Sequence, residues 1–203
     1  MDLKLTLDGL AKSYPGRPVF SDLSAGVAGG RKLVVTGPNG SGKSTLIKII
    51  CGFIRPTRGT VLFDMDKTRL SRLDIRPHIG LVSPDLVLYD ELTALENLSF
   101  FAGVAGLQFA RDTLTEKIDG IGLKGRGDDL VGSYSSGMKQ RLKYCLALLR
   151  EPCLLLLDEP TSNLDDAGKE LVDAIIKSHP GIVVIATNES TELEYGDEIV
   201  RLG

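Results

Sequence analysis

The sequence has few cysteines that could bind a metal, and it has no apolar run long enough to cross a membrane. Its three cysteines, Cys51, Cys145 and Cys153, form no CxxC pair and have no histidine at zinc-binding spacing. This favours buried thiols in a reducing compartment over a zinc site. The N-terminus lacks a secretion signal, and no apolar run approaches the ~18 residues that span a bilayer. We therefore expect a cytoplasmic protein.

An excess of positive charge is also missing. The formal net charge is -3 over 203 residues, which argues against a surface dedicated to nucleic acid or anionic lipid. Hydrophobic residues make up 42% and charged residues 25% of the chain, which is typical of a folded globular protein. The length suits one domain, with or without a small subdomain. Any phosphate-binding site must then be local.

Predicted strands and helices alternate along the chain. Alternating leucines from Leu3 to Leu7 predict an opening strand, and short apolar runs predict strands at 32–36, 60–63, 79–83, 153–157 and 182–187. Helical patterns occur at 44–52, 93–121, 136–150 and 165–178. Alternation of this kind predicts an α/β fold with a mainly parallel sheet covered on both faces. The segment at about 84–134 differs in character and is expected to be a helical insertion.

A glycine-rich motif follows the predicted strand at 32–36. It fits the pattern GxxxxGK[ST] in full and consists of Gly37-Pro38-Asn39-Gly40-Ser41-Gly42-Lys43-Ser44. Glycines let successive N–H groups converge on phosphate oxygens, and the following helix adds the positive end of its dipole. Lys43 is expected to contact the β- and γ-phosphates, and the Ser44 hydroxyl to ligate Mg²⁺. The alternative is a glycine-rich turn with a purely structural role, which the predicted strand before the motif and the predicted helix after it make the weaker interpretation.

Two carboxylates end the most apolar strand. Leucines fill 154–157, and Asp158 and Glu159 follow directly. In open α/β sheets, ligands bind at the carboxyl ends of the strands. Asp158 is therefore expected to hold Mg²⁺ through water, and Glu159 to polarise the attacking water. Alone, this pattern is more typical of a strand that leaves the core for solvent, but the phosphate motif strengthens the functional interpretation.

These motifs, in this order, resemble the ABC ATPase family over nearly all of the chain. The resemblance implies a P-loop NTPase core with an N-terminal β subdomain and an inserted helical subdomain. It also implies that Tyr14 stacks on adenine, although a lone tyrosine in a loop equally suits simple surface packing. The nucleotide-binding residues would then be Tyr14, the P-loop residues 37–44 and Thr45. ATP and Mg²⁺ are the implied cofactors.

A second motif, Ser135-Ser136-Gly137, resembles the LSGGQ signature of the family. In the family, the signature of one subunit covers the γ-phosphate bound by the P-loop of the other. The resemblance therefore implies a head-to-tail dimer with two ATP molecules at the interface, most simply a homodimer. The alternative for the serine is an ordinary helix N-cap. Similarly, the segment 162–165 matches the D-loop, and Asp165 is also a candidate N-cap.

The whole chain, 1–203, is expected to form one ABC ATPase domain. About 1–83 and 135–203 would form the ATP-binding core, and about 84–134 the helical subdomain. In the family, the surface of this subdomain receives a coupling helix from a transmembrane subunit. The alternative is that its apolar residues, as in the segment 92–98, only pack the insertion.

Two departures from the family pattern concern hydrolysis. Ser83 stands where the family usually has a glutamine that reaches Mg²⁺ and water. Asn188 stands where the family usually has a histidine, and an amide cannot store a proton at neutral pH. The predicted catalytic residues are Glu159, Lys43 and Asn188, and the predicted metal-binding residues are Ser44, Asp158 and Ser83. Turnover is expected to be slow or to need a partner.

The function predicted from the resemblance is the ATP-binding and ATP-hydrolysing subunit of a multi-subunit ABC transporter. It would energise a separately encoded transmembrane permease and lie on the inner face of the cell membrane through that partner. Among small subunits, the length and the segment 92–98 are similar to the haem-exporter-type ATPases of cytochrome c maturation. The alternatives are a slow nucleotide-operated switch and a soluble ABC ATPase that acts on nucleic acid or ribosomes. The second lacks support, because the acidic chain has no coiled-coil heptads and no second cassette.

Overall fold

The computed structural model describes residues 2–203. Its strands and helices include the predicted ones, together with three strands, at 17–28, 68–70 and 198–201, that were not predicted. The strands are β1 (Leu3–Tyr14), β2 (Arg17–Ala28), β3 (Lys32–Thr36), β4 (Arg58–Met65), β5 (Thr68–Leu70), β6 (Ile79–Val82), β7 (Leu154–Asp158), β8 (Ile182–Thr187) and β9 (Glu198–Arg201). The helices are α1 (Lys43–Ile50), α2 (Ala94–Val104), α3 (Arg111–Gly120), α4 (Ser136–Leu148) and α5 (Asp166–Ser178).

The central sheet is parallel and places the candidate site residues at one edge. Its strand order is β6-β7-β8-β3-β9, and every pairing in it is parallel. Ser83, Asp158 and Asn188 lie at or just after the ends of β6, β7 and β8, and the glycine-rich loop follows β3. Because the carboxyl ends of parallel strands lie along the same edge, residues far apart in sequence meet there.

Alternate residues of the central strands pack into two cores on opposite faces. On β3, Leu33 and Val35 join a core with α1 and the leucines of β1, whereas Val34 joins a core that contains Val172 of α5. Burial on both faces explains why β7 and β8 are buried along their whole length. The predicted sheet with both faces covered is therefore confirmed.

A second, antiparallel sheet has the order β2-β1-β4-β5. Leu3, Leu5 and Leu7 alternate inward along β1 and reach the same core as the inner residues of β3 and β7. This sheet is the predicted N-terminal β subdomain. It is larger than the single opening strand that alternating leucines suggested, since β2 is twelve residues long and shows no clear alternation in the sequence.

The helical segment contains two helices where the sequence pattern suggested one run over 93–121. α2 ends at Val104, and Gly106 has a φ of +73°, which turns the chain before α3 begins. Thr93 and Glu96 form a capping box that fixes the start of α2. The core of this segment also includes Leu142 and Cys145 of α4, so α4 joins the helical segment to the central sheet.

Among residues 2–203, no helix is long and apolar enough to cross a membrane. Nor does this part of the chain contain a group of three or more histidine, cysteine or acidic side chains arranged to hold a metal ion. Cys51 and Cys145 are buried free thiols, and burial raises the pKa of each to about 12. The expectation of buried thiols is met at these two positions.

Candidate active site

The glycine-rich loop between β3 and α1 requires glycine at two of its positions. Gly37 has a φ of +153°, and a Cβ there would lie 2.3 Å from the Leu202 carbonyl oxygen. Gly42 has a φ of +103°, and its Cβ would lie 2.4 Å from Cγ1 of Val19. Any side chain at either position would therefore force the loop away from its neighbours. Glycine at these two positions of the motif is therefore needed for the shape of the backbone, in addition to any contact with phosphate.

Lys43 lies buried inside the loop that it would use to hold phosphate. Its side chain is 6% exposed, and Nζ donates hydrogen bonds to the carbonyl oxygens of Gly37 at 2.8 Å and Pro38 at 3.3 Å. The same Nζ lies 4.0 Å from Oε1 of Glu159. The ammonium group is thus fixed between the loop and the strand-end carboxylate, where a polyphosphate would meet it.

Ser44 and Asp158 meet at the start of α1. The Ser44 hydroxyl donates to Oδ1 of Asp158 at 3.1 Å, across 114 residues of sequence. Burial raises the pKa of the Asp158 carboxyl group, which is 2% exposed, although the Ser44 hydrogen bond opposes the shift. A buried carboxylate is costly unless a cation compensates its charge. The Ser44 hydroxyl and the Asp158 carboxylate are oxygen ligands of the kind that Mg²⁺ prefers.

Glu159 is held in a conformation that non-glycine residues rarely adopt. Its φ is +53°, and its backbone N–H donates to the Ala186 carbonyl oxygen of β8 at 2.8 Å. Burial raises the pKa of its carboxyl group, Lys43 lowers it, and the negative charge of Asp158 raises it further. A carboxylate whose pKa is moved towards neutrality is a better proton acceptor for an attacking water.

Several of the predicted nucleotide-binding residues line one cavity of about 380 Å³. Tyr14, Arg17 and Glu159 line it together with the loop residues 39, 40 and 42–45. The Tyr14 side chain is 46% exposed, and Nζ of Lys12 lies 4.7 Å from its ring centroid. Arg17 was not predicted from the sequence, because an arginine at the start of a surface strand carries no motif.

The signature-like residues lie away from that cavity. Ser135, Ser136 and Gly137 line a cavity of about 460 Å³ together with Lys124 and Arg126. The Ser135 hydroxyl accepts the N–H of Met138 at 3.2 Å, so Ser135 is the N-cap of α4, whether or not it also acts as part of a signature motif. A separate, basic cavity at a helix start suits an anion that the P-loop of the same chain does not hold.

Further contacts occur around α4, of which only the N-cap at Asp165 was predicted from the sequence. Asp165 caps α5 by accepting the N–H of Gly168 at 2.9 Å, and it also pairs with Arg141 of α4. The Lys143 ammonium group donates to the carbonyl oxygens of Ser83 and Pro84 at 3.1 and 3.2 Å. α4 therefore contacts both the segment after β6 and the segment after β7.

The two residues that depart from the family pattern make contacts of their own. Ser83 is 4% exposed, and its hydroxyl accepts the N–H of Asp85 at 3.3 Å. The Asn188 amide donates to Oδ1 of Asn39 at 3.3 Å, which joins the end of β8 to the P-loop. The roles of Ser83 in metal binding and of Asn188 in catalysis stay predictions.

A third group of contacts holds the turn after Glu159 and was not predicted from the sequence. The Tyr144 hydroxyl donates to the Pro160 carbonyl oxygen at 2.9 Å, and the Thr161 hydroxyl donates to Oε1 of Glu192 at 2.5 Å. Glu159, Asn188 and Glu192 line one cavity of about 690 Å³. No motif marks Glu192, which is one of four glutamates between 189 and 198.

Comparison with known proteins gives consistent results. The profile of the ABC transporter family matches residues 20–162. The lantibiotic transport ATP-binding protein SrtF of Streptococcus pyogenes is 32% identical over 195 residues, which cover 94% of this chain and 82% of SrtF. The cytochrome c biogenesis ATP-binding export protein CcmA of Rhizobium johnstonii is 33% identical over 210 residues, which cover 99% of this chain and 95% of CcmA.

Solved structures show the same relationship. The ATP-binding subunit of an ABC transporter matches with a TM-score of 0.84 at 29% identity, over 98% of this chain and 85% of the other. A dimeric ATP-binding cassette in a post-hydrolysis state, bound to ADP and Pi, matches with a TM-score of 0.82 at 25% identity, over 98% of this chain and 94% of the other. Sequence family, fold and site geometry agree, and this chain therefore belongs to the ABC transporter family, in which it is an ATP-binding and ATP-hydrolysing subunit.

Proposed function

We propose that two copies of this chain bind two Mg-ATP molecules head to tail and hydrolyse them to drive a separate transmembrane permease. The observation that carries the proposal is the convergence of Lys43, Ser44 and the Asp158-Glu159 strand end at one edge of the sheet. The P-loop cavity and the cavity beside Ser135 are separate on one chain. This separation supports a dimer in which each site is completed by the other copy.

Mg²⁺ would be held by the Ser44 hydroxyl and by Asp158, directly or through water. The fit rests on the Ser44 to Asp158 distance of 3.1 Å and on the buried carboxylate, whose charge a dication compensates. The bound ion would neutralise charge on the β- and γ-phosphates. Ser83 follows β6, which pairs with β7 so that Val82 lies opposite Leu157. Ser83 would therefore lie near Asp158 and would act on the ion only through a bridging water.

Glu159 would accept a hydrogen bond from the attacking water, while Lys43 stabilises the charge that develops on the γ-phosphate. Lys43 Nζ lies 4.0 Å from Glu159 Oε1, so both groups face the same reacting centre. Tyr14 and Arg17 would contact the nucleoside end of ATP, since they line the P-loop cavity without belonging to the loop that would hold phosphate. Asn188 would donate a hydrogen bond to the γ-phosphate without storing a proton.

The permease would dock on an exposed aromatic surface of the helical segment. Tyr89 and Phe100 are each 44% exposed, with ring centroids 5.1 Å apart, and Val87 and Val104 are 76% and 73% exposed beside them in sequence. Exposed apolar clusters of this kind mark interaction sites. We place the chain on the inner face of the cell membrane through this contact.

The transported substrate would be set by the permease, as the range of relatives suggests. SrtF carries a name that refers to lantibiotic transport, and CcmA one that refers to cytochrome c biogenesis and export. Both are similar to this chain at nearly equal identity, 32% and 33%. Similarity in the ATPase alone therefore does not select between such substrates.

Steady-state hydrolysis of Mg-ATP, measured over a range of protein concentrations, tests the proposal. We expect specific activity to rise with protein concentration, because each site needs the signature of the second copy. Replacement of Glu159 by Gln should lower kcat by about 10²- to 10⁴-fold, the usual contribution of a general base, and leave ATP binding in place. ATP should also hold the E159Q variant as a dimer in sedimentation experiments.

The matched control is Glu151→Gln, which changes an exposed carboxylate at a residue with a similar φ of +51°. Its turnover should stay at the wild-type level. Specific activity that does not depend on protein concentration would contradict the proposed dimer. Equal turnover in wild type and E159Q would contradict the role of Glu159, and would instead favour a slow nucleotide-operated switch.

A further inference from the structure

Glu192 is a buried carboxylate close to the reacting groups with no partner for one of its oxygens. It lies in the 3₁₀ helix Ser190–Tyr195 that follows β8, and it is 3% exposed. Oε1 accepts the Thr161 hydroxyl at 2.5 Å. Oε2 is fully buried and has no hydrogen-bond partner among residues 2–203. A buried carboxylate oxygen that is left without a donor is costly, so such an atom points to a function.

The partner of Oε1 belongs to the turn that carries Glu159. Thr161 is two residues after Glu159, and the Ser162 N–H donates to the Glu159 carbonyl oxygen at 3.2 Å. From the other side, the Tyr144 hydroxyl holds the Pro160 carbonyl oxygen at 2.9 Å. Since Glu159 has a φ of +53°, its backbone conformation must be maintained by such contacts. Glu192 supplies the one hydrogen bond to the Thr161 hydroxyl found in the described residues.

Glu192 also shares a cavity with Glu159 and Asn188, the two groups that would act at the γ-phosphate. The cavity of about 690 Å³ is lined by Glu159, Asn188, Thr161 and Glu192 among others. Of the residues that line it, Glu192 combines near-complete burial with an oxygen that has no donor. Asn188 offers an amide at this place but no negative charge.

We propose that Glu192 is a positioning residue for ATP hydrolysis. Through Oε1 and the Thr161 hydroxyl it fixes the turn that carries Glu159. Because the acceptor is a carboxylate, this hydrogen bond is charge-assisted and holds Thr161 more tightly than a neutral acceptor would. This proposal rests on the proposed role of Glu159, because a fixed turn affects turnover only if Glu159 acts on the attacking water.

Two variants test the hydrogen bond between Glu192 and Thr161. Glu192→Gln keeps the size of the side chain and an acceptor for Thr161, but removes the charge and replaces one oxygen by a donor. Thr161→Val keeps the shape of residue 161 and removes its hydroxyl, so that Oε1 also loses its donor. We expect kcat to fall by about 10- to 100-fold in each, the usual effect of a lost hydrogen bond to a charged group. KM for ATP should stay within about 2-fold, because neither residue lines the P-loop cavity.

The double variant and a conservative variant distinguish positioning from simple loss of folding. If the two residues act as a unit, the double variant should lose little more kcat than either single variant. Glu192→Asp keeps the charge and should recover part of the kcat lost in E192Q. The matched control is Glu194→Gln. Glu194 lies in the same 3₁₀ helix as Glu192 but does not line the cavity, so this variant should keep wild-type kcat.

The outcomes distinguish this proposal from the proposed function. Wild-type kcat in E192Q, together with loss of turnover in E159Q, would overturn the role of Glu192 alone. A rise in KM parallel to the fall in kcat, or independent losses that multiply in the double variant, would also overturn it. Wild-type turnover in E159Q would overturn the proposed role of Glu159 and this proposal with it.

Discussion

The side of the site that would hold phosphate and the side that carries Glu159 are built from contacts of different range. In the P-loop, Lys43 bonds carbonyl groups only five and six residues earlier in the chain. On the other side, the turn after Glu159 depends on Tyr144, 16 residues before Pro160, and on Glu192, 31 residues after Thr161. The Lys43 ammonium group is thus held within one local motif, whereas the turn after Glu159 needs two other elements in place.

This difference has a consequence for control of hydrolysis. α4 begins beside Ser135, and the same helix carries Tyr144, which holds the turn after Glu159. A shift of α4 would therefore move the turn without disturbing the P-loop. ATP binding and ATP hydrolysis would then respond differently to a partner that contacts the helical segment. Variants that affect one side but not the other test this separation.

The largest effect is expected on the P-loop side. Lys43→Met keeps an unbranched chain but removes the ammonium group, and should lower kcat/KM by about 10²- to 10³-fold, the usual effect of losing one transition-state donor. Because Lys43 would contact both bound ATP and the transition state, ATP affinity should fall as well. Nucleotide titration and steady-state hydrolysis measure the two effects separately.

Lys48→Met provides the control in the same helix. Lys48 is 37% exposed and pairs with Asp85 at 2.6 Å, and exposed ion pairs contribute little to stability. Its kcat/KM should stay within about 2-fold of wild type. Equal losses in the two lysine variants would mean that general positive charge, and not the fixed position of Nζ, holds the nucleotide.

The range of contacts also explains what could be predicted from the sequence. β3 and β8 were predicted with their observed bounds, because strands buried on both faces are continuous apolar runs. The P-loop was predicted because its chemistry is confined to eight consecutive residues. Asp158 and Glu159 were predicted as site residues because ligands of open α/β sheets bind where the parallel strands end.

Most of the missed features depend on tertiary contacts. β2 pairs with β1 through several register shifts, so it lacks the strict alternation that marks a strand in the sequence. The break between α2 and α3 was missed, although Gly106, just after α2, is a residue that typically ends a helix. Glu192 was missed because its partner Thr161 is remote, and a glutamate in an acidic segment gives no local signal.

A smaller effect is expected when the turn after Glu159 loses one support. Tyr144→Phe removes a buried donor to the Pro160 carbonyl oxygen, whose remaining donor is the Gln140 amide at 3.5 Å. The free energy of unfolding should fall by about 1 to 2 kcal/mol, and kcat should fall several-fold while KM for ATP is unchanged. Urea unfolding and steady-state kinetics measure these quantities.

Tyr134→Phe is the matched control for that variant. The Tyr134 hydroxyl donates to the Arg126 carbonyl oxygen at 2.6 Å, far in sequence from the turn after Glu159. We expect a similar loss of stability with a smaller change in kcat. If both variants lose stability and kcat in the same proportion, α4 does not transmit its position to the turn through Tyr144.

The smallest effect is expected at the edge of the P-loop cavity. Tyr14 is 46% exposed, so its ring can contribute only part of the stacking energy of a buried aromatic pair. Tyr14→Ala should raise KM for ATP by about 2- to 10-fold at unchanged kcat, and Tyr14→Phe should restore KM because the ring and not the hydroxyl makes the contact. A fall in kcat in Tyr14→Ala would show that nucleoside contacts on the P-loop side also set the position of Glu159. The two sides of the site would then be coupled through the bound nucleotide, and the separation inferred from the range of their contacts would hold only for the empty protein.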